Sequence, residues 1–142
     1  DTLRKKKVSD LHNRVAAIEA TENALLLSIH QNTFSNASYH GAQTFFRAGD
    51  ESKALATLLQ DTLREGADPA NRRTPAKIPD SIYLMKHITC PAVLVECGFL
   101  SNPMEEAKLR DSAYQTQLAV CMTSALLRNG EIQGGKTAEN MI

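Results

Sequence analysis

The sequence predicts an α/β fold in which helices flank a mostly parallel sheet, and two patterns support this. Apolar residues from Val8 to Thr21 recur at spacings of three and four, as in an amphipathic helix. Short apolar runs, Ala24 to Ile29 and Ala92 to Val95, have the length and composition of buried strands. Because segments of the two kinds alternate along the chain, we expect the helices to cover the faces of the sheet.

The middle of the chain is predicted to form a strand, a helix and a loop. Gly41 to Arg47 has the pattern of a strand, and Asp50 and Gly66 are the expected N-cap and stop of the following helix. The segment 67–80 contains three prolines, which remove backbone donors, so it is predicted to be a loop. Long loops of compact domains are commonly functional, which makes this one a candidate substrate-side flap.

The last third is predicted to begin with a short strand, Ile82 to Met85, before the strand at Ala92. Asn102, with Pro103 at the first helical position, then predicts the start of a helix. Tyr114 to Leu127 predicts the closing helix, and the polar, glycine-containing segment 129–142 predicts a flexible tail.

Composition excludes several classes of protein. The 142 residues carry 16 Lys and Arg against 16 Asp and Glu, which gives no electrostatic basis for binding nucleic acid. No apolar run approaches the roughly 20 residues of a membrane-spanning helix. The three cysteines, Cys90, Cys97 and Cys121, lack C-x-x-C spacing, so neither a disulfide framework nor a cysteine zinc site is predicted.

Two predicted strands end in ionisable residues, His30 and Glu96. A buried strand gains nothing from such an ending, whereas ligands bind at the carboxyl ends of strands in open α/β sheets. A histidine and a glutamate meeting there could serve a metal-assisted hydrolase. Taken alone, each has an ordinary structural explanation, a hydrogen-bonded core histidine and a capping or ion-paired carboxylate.

Four further residues are candidates for binding substrate. Asn32 follows His30 on the same strand and either contacts substrate or stabilises a turn. Arg72 and Arg73 could hold a peptide carboxylate through bidentate contacts, or be solvated. His87 either lines the cleft or is a surface histidine.

The flanking text of both strand endings resembles a known family. Ser28-Ile-His-Gln-Asn32 and Pro91-Ala-Val-Leu-Val-Glu-Cys-Gly-Phe-Leu-Ser-Asn-Pro103 are similar to signature blocks of the zinc-dependent type-3 N-acetylmuramoyl-L-alanine amidases. The resemblance extends through Leu11-His-Asn-Arg14 and Gly41-Ala-Gln-Thr-Phe-Phe46 to Leu127. It implies the three-layer fold of that family.

The resemblance also implies roles for the two strand endings. His30 would be one of three protein ligands of a zinc ion, and Glu96 would be the general base beside a water whose pKa zinc lowers to about 7. The family's other two ligands, in a Gly-His-Gly-Gly turn and on a helix, are not in this sequence. Residues 1–128 therefore resemble the later portion of an amidase domain, lacking its first strands.

The implied substrate is peptidoglycan, cut between the lactyl group of N-acetylmuramic acid and L-alanine. Gly41 to Phe46 and Leu84 to His87 resemble the sporulation branch of the family, which implies action outside the cytoplasm, at the cell wall or forespore envelope. An activating protein, or the missing part of the domain, would complete the site. The alternatives are a non-catalytic module binding peptidoglycan or a protein, and another zinc peptidase of similar fold.

Overall fold

Five helices and four strands make up the computed structural model, which describes residues 2–139 and, for 133–139, the backbone only. Their order along the chain is α1 (Leu3–Glu19), β1 (Leu26–Asn32), β2 (Gln43–Phe46), α2 (Asp50–Ala67), β3 (Ala76–Lys77), α3 (Tyr83–His87), β4 (Ala92–Phe99), α4 (Pro103–Arg110) and α5 (Ser112–Glu139).

The strands form one mixed sheet in the order β1-β4-β2-β3. The pairs β1/β4 and β2/β3 are parallel, and β2/β4 is antiparallel. Two of the three pairings are therefore parallel, and helices lie on both faces. The predicted α/β class with a mostly parallel, helix-flanked sheet is confirmed.

One face of the sheet is covered by α2 and α5. Val93 and Val95 of β4 are fully buried there against Leu55 and Leu59 of α2. The two helices approach closely: a Cβ built on Gly66 would lie 2.5 Å from the sulfur of Cys121. Since real Cβ atoms are not found so close, glycine at this α2 position lets α5 pack against the core.

The opposite face is covered by α1 and α3. Met85, Ile88 and Ala92 form a second buried cluster, onto which Val15 and Ile18 of α1 pack in part. No residue of α1 is fully buried. The predicted helix around Val8 to Thr21 is thus confirmed in type, and among the described residues it covers its face only partly.

The predicted strand Ile82–Met85 is wrong, because Tyr83–His87 forms the short helix α3. A short apolar run with an isoleucine fits a buried strand or a buried helical turn equally well. Met85 is buried from α3, and the backbone N–H of Lys86 donates to the carbonyl of Ile82 at 3.2 Å.

Some helix boundaries also differ from prediction. Gly49, with φ of 131°, is the N-cap of α2 in place of Asp50, and α2 runs past Gly66 to Ala67. The closing helix continues beyond Leu127 to Glu139. Flexibility of 129–142 stays a prediction, and residues 140–142 lie outside those the structure describes.

The first strand is less buried than predicted. Among residues 2–139, β1 pairs with β4 alone, and Ile29 is 57% exposed. In contrast, Val95, its register partner on β4, is fully buried. An edge strand keeps one side open, so an apolar sequence of this length does not by itself place a strand at the centre of a sheet.

The predicted loop 67–80 is wrong in part, because the two-residue strand β3 (Ala76–Lys77) lies within it, and its first part, 68–75, is anchored at its centre. Asn71 is 3% exposed, and its side-chain amide donates to the carbonyl of Ala42 at 2.8 Å. The guanidinium of Arg64 on α2 donates to the carbonyls of Asn71 and Arg73. These hydrogen bonds fix this segment against α2 and the residue that precedes β2.

None of the helices described in residues 2–139 is long and apolar enough to cross a membrane.

Candidate active site

His30 and Glu96 lie side by side on the two parallel strands β1 and β4. They are register partners, so their side chains leave the same face of the sheet. Val95 and Cys97, the neighbours of Glu96, point into the core on the opposite face, as strand alternation requires. Both residues lie toward the carboxyl ends of their strands, the edge where open α/β sheets bind ligands.

Glu96 carries a half-buried carboxyl group. Burial raises the pKa of Glu96 above its usual value, and the nearby His30 offsets part of that effect. Among the side chains described, those of residues 2–132, Oε2 of Glu96 is a buried atom with no hydrogen-bond partner. Buried polar atoms are nearly always paired, so an orphaned carboxylate oxygen beside an exposed imidazole indicates a group that acts on a ligand.

The site offers part of a metal-binding set. The imidazole of His30 can supply one nitrogen ligand, and the orphaned oxygen of Glu96 fits a base or ligand beside it. No group of three or more His, Cys, Asp or Glu side chains that could hold a metal occurs in the described part of the chain. A catalytic zinc ion usually has three protein ligands, so residues 2–139 alone do not complete such a site.

The chain after Glu96 is fixed by a carboxylate on α4. Glu105 accepts hydrogen bonds from the backbone N–H of Phe99 at 2.8 Å and of Gly41 at 2.7 Å. The register between β1 and β4 shifts at this point, after His30. Gly98 has φ of 159°, and a side chain there would press on Glu105. The end of β4 and the entry to β2 are thereby held together.

An aromatic cluster lies in the loop after β1. Phe34 and Tyr39 are each more than 40% exposed, with ring centroids 4.4 Å apart, and Tyr39 also contacts Phe99 edge-on. The guanidinium of Arg73 lies over the Phe99 ring, 4.6 Å from its centroid. This loop is tied to the end of β4, because the N–H of Phe34 donates to the hydroxyl of Ser101.

The structure places two of the predicted binding residues, Arg72 and Arg73, beside this aromatic cluster. Arg72 and Arg73 both line a cavity of about 400 Å³ with Tyr39 and His40. Arg72 turns back on its own loop, donating to the carbonyl of Pro69 at 2.8 Å. Arg73 reaches the sheet, where it donates to the side chain of Gln43 at 2.9 Å.

The other two predicted residues have structural contacts. Asn32 accepts a hydrogen bond from the N–H of Thr33 through its side chain, as a turn-stabilising asparagine does. His87 stacks on Tyr83 with centroids 3.9 Å apart, and its Nδ1 pairs with the Tyr83 carbonyl. It precedes the amino end of β4, so the structure does not bring it to His30 and Glu96.

Sequence reasoning missed Gln43 and Glu105. Gln43 is the register partner of Glu96 on β2 and shares its face of the sheet. Its contacts join residues about 30 positions apart, which no local pattern indicates. Glu105 stands in the first turn of α4, where an acidic residue is already explained by the helix dipole. Because the helix dipole already explains an acidic residue there, its two long-range hydrogen bonds could not be predicted from the sequence.

The fold and the site define an α/β protein whose candidate ligand site lies toward the carboxyl ends of two parallel strands. A family model for N-acetylmuramoyl-L-alanine amidases matches residues 2–128. The chain belongs to this family.

Similar proteins agree with that assignment. The germination-specific N-acetylmuramoyl-L-alanine amidase of Bacillus subtilis is 37% identical over 125 residues, covering 87% of this chain. The CwlD amidase of Clostridioides difficile, solved in complex with the GerS lipoprotein, superposes with a TM-score of 0.88 at 35% identity, over 93% of this chain and 67% of that one. An N-acetylmuramoyl-L-alanine amidase of Clostridium difficile gives 0.77 at 31% identity, over 85% and 65%. The chain spans about half of the Bacillus relative, 52% of its length.

Proposed function

We propose that the protein containing this chain hydrolyses peptidoglycan at the amide between the lactyl group of N-acetylmuramic acid and L-alanine. The observation that carries the proposal is the paired position of His30 and Glu96 at adjoining strand ends, with the carboxyl group left unsatisfied. Family membership supplies the class of bond, because the matching family and the Bacillus subtilis relative are both named as N-acetylmuramoyl-L-alanine amidases.

Glu96 is the proposed general base. Its carboxylate accepts a proton from the attacking water while the water oxygen bonds to the amide carbon. It then gives that proton to the nitrogen as the carbon–nitrogen bond breaks, so that alanine leaves as a free amine. A pKa raised by burial makes Glu96 a better proton acceptor at neutral pH than an exposed glutamate.

His30 is the proposed ligand of a zinc ion, with its remaining ligands contributed from outside the described residues. When bound, zinc supplies Lewis-acid chemistry, polarising the amide carbonyl and lowering the pKa of water. The exposed imidazole of His30, one strand from Glu96, supports this placement, since the general base has to lie close to the residues that would hold the metal.

The place of action is proposed from the relatives. Curated relatives include a germination-specific amidase, and a structural relative was solved with a lipoprotein. We infer that this protein acts on cell-wall peptidoglycan outside the cytoplasm, in the remodelling associated with spores. A protein partner is compatible with this function. Spores lacking the gene should then have altered muropeptides, without muramic lactam; unchanged muropeptides would contradict the spore role alone.

The decisive experiment is Glu96→Gln in the intact protein. Loss of the proton acceptor should lower the release of L-alanine amino termini from purified peptidoglycan by about 10²–10⁴-fold. Glu51→Gln, at an exposed glutamate in the first turn of α2, is the matched control and should retain activity. Equal activity in the Glu96 variant and wild type would refute the role of Glu96.

A non-catalytic binding module is the second candidate, favoured by the incomplete ligand set within residues 2–139. Metal analysis of the intact protein separates the two functions. The enzyme should contain about one zinc per chain, and His30→Ala should reduce it, whereas Glu96→Gln should retain it. A folded wild-type protein without zinc that still binds peptidoglycan would support the module.

A further inference from the structure

Arg73 is held in a fixed position beside the cavity that it lines with Tyr39 and His40. Its Nε donates to the carbonyl of His40 at 2.6 Å, and its Nη1 donates to Oε1 of Gln43 at 2.9 Å. Its guanidinium also lies over the ring of Phe99 and near that of Tyr39. These contacts come from two separate segments of the chain, residues 39–43 and the end of β4, so the guanidinium is oriented before any ligand arrives.

The positive charge of Arg73 is not neutralised by the surrounding residues. None of the ion pairs between the described side chains, those of residues 2–132, involves Arg73. A guanidinium has five N–H donors, and the two hydrogen bonds above leave three, including both on Nη2, for another acceptor. A half-buried, oriented arginine without a carboxylate partner is suited to bind one from a ligand.

Gln43 connects this arginine to the reaction site. The side chains of Gln43 and Glu96 leave the same face of the sheet from directly opposite positions on β2 and β4. Gln43 is itself fixed, because its Nε2 donates to the carbonyl of Thr74 at 2.9 Å. Arg73 is therefore one side-chain contact away from the register partner of Glu96, a separation that a few residues of extended peptide, at about 3.5 Å each, can span.

We propose that Arg73 binds a free carboxylate of the stem peptide and makes the site selective for acidic over amidated stems. This inference rests on the proposed function, since it takes the peptide that Glu96 would cut as the ligand of Arg73. The cavity of about 400 Å³ beside Arg73 provides room for the peptide, and Arg72 lines the same cavity with its Nη1 turned to its own loop.

The test measures binding rather than cleavage. Two synthetic probes are titrated calorimetrically into the intact protein: N-acetylmuramoyl-L-alanyl-D-glutamate with free carboxylates, and the same compound with both carboxylates amidated. Glu96→Gln is used as the background, so that the probes stay uncut. We expect the acid to bind about tenfold more tightly than the diamide, the size of effect usual for hydrogen bonds to charged groups.

Arg73→Gln should reduce that preference to within about twofold. Arg128→Gln, at an exposed arginine of α5 on the opposite face of the sheet, is the matched control and should keep it. Arg73→Lys should retain part of it, because charge remains while the planar fork is lost. A merely structural role of Arg73 would weaken both probes alike and leave their ratio unchanged.

Three results would overturn the proposal: no preference for the acid in the folded protein, no binding of either probe, or the preference persisting in Arg73→Gln. Circular dichroism of each variant verifies folding. Because the ratio requires neither zinc nor hydrolysis, an inactive protein that prefers the acid would contradict the amidase proposal alone. An active amidase with no preference would contradict the role of Arg73 alone.

Discussion

The neighbouring strands β1 and β4 run parallel and carry the two site residues at matching positions, yet their surroundings differ. At β4, residues of both sheet faces are buried, and β2 pairs with its second edge. In contrast, half-buried and exposed residues make up β1, and its second edge has no partner among residues 2–139. Glu96 thus stands on a fully supported strand and His30 on a half-supported one.

This difference teaches that the two halves of the site depend on different interactions. The position of Glu96 follows from the core of the described residues, through Val95 and Cys97 on either side. The position of His30 depends on one set of strand hydrogen bonds to β4. We therefore expect Glu96 to be placed correctly in this chain by itself, and His30 to gain order from whatever pairs with the open edge of β1.

The largest expected effect comes from the register partners Val95 and Ile29. Val95→Ala removes methyl groups from a fully buried site and should lower the free energy of unfolding by about 2 kcal/mol. Ile29→Ala, at a side chain 57% exposed, should cost about 0.5 kcal/mol. Urea denaturation measures both. Equal losses would show that β1 is as well packed in solution as β4.

A smaller effect is expected from the segments that follow the two strands. After β4, Asn102 caps α4, its side chain accepting from the N–H groups of Met104 and Glu105. Asn102→Ala should therefore cost about 1 kcal/mol. The side chain of Asn36, in the loop after β1, accepts hydrogen bonds from Ser38 alone among the described residues. Asn36→Ala should cost less than about 0.5 kcal/mol, and chemical denaturation would reveal a reversed order.

At neutral pH the smallest effect, close to zero, is expected from Cys97 of β4, because its thiol loses its proton only at alkaline pH. Burial, followed by the charge of Glu96, raises the pKa of Cys97 from 9.0 to about 11. The unfolded thiol therefore loses its proton before the folded one, so stability should fall as pH rises from about 9 to about 11. Cys97→Ala should make that fall shallower. Cys90→Ala, at a half-exposed thiol outside the strand, is the control and should leave the slope unchanged.

Local patterns predicted much of this fold. The apolar run at β4, the cap at Asn102 and the spacing in α1 each reflect interactions within a few residues, and each is confirmed in type. The segment Tyr83–His87 was missed because five residues are too few to show a period. The exposure of β1 was missed because strand composition does not say whether an edge is paired.

The candidate site was predictable to the same extent. His30 and Glu96 could be named because each ends an apolar run, and the structure places them side by side. Their catalytic roles stay predictions. Gln43 and Glu105 could not be named, since their partners are distant in sequence and known only once β2 and β4 have paired. Residues marked by their local sequence could therefore be predicted, whereas contacts that depend on the pairing of β2 with β4 could not.

The carboxylate of Glu105 has a dynamic consequence. By accepting hydrogen bonds from the backbone N–H groups of Gly41 and Phe99, it makes the first turn of α4 the common support of two segments far apart in the sequence. Both N–H groups are protected while this carboxylate keeps its place. In hydrogen–deuterium exchange, these two N–H groups should therefore exchange at one rate. They form a single cooperative unit whose opening loosens the end of β4 and the entry to β2 together.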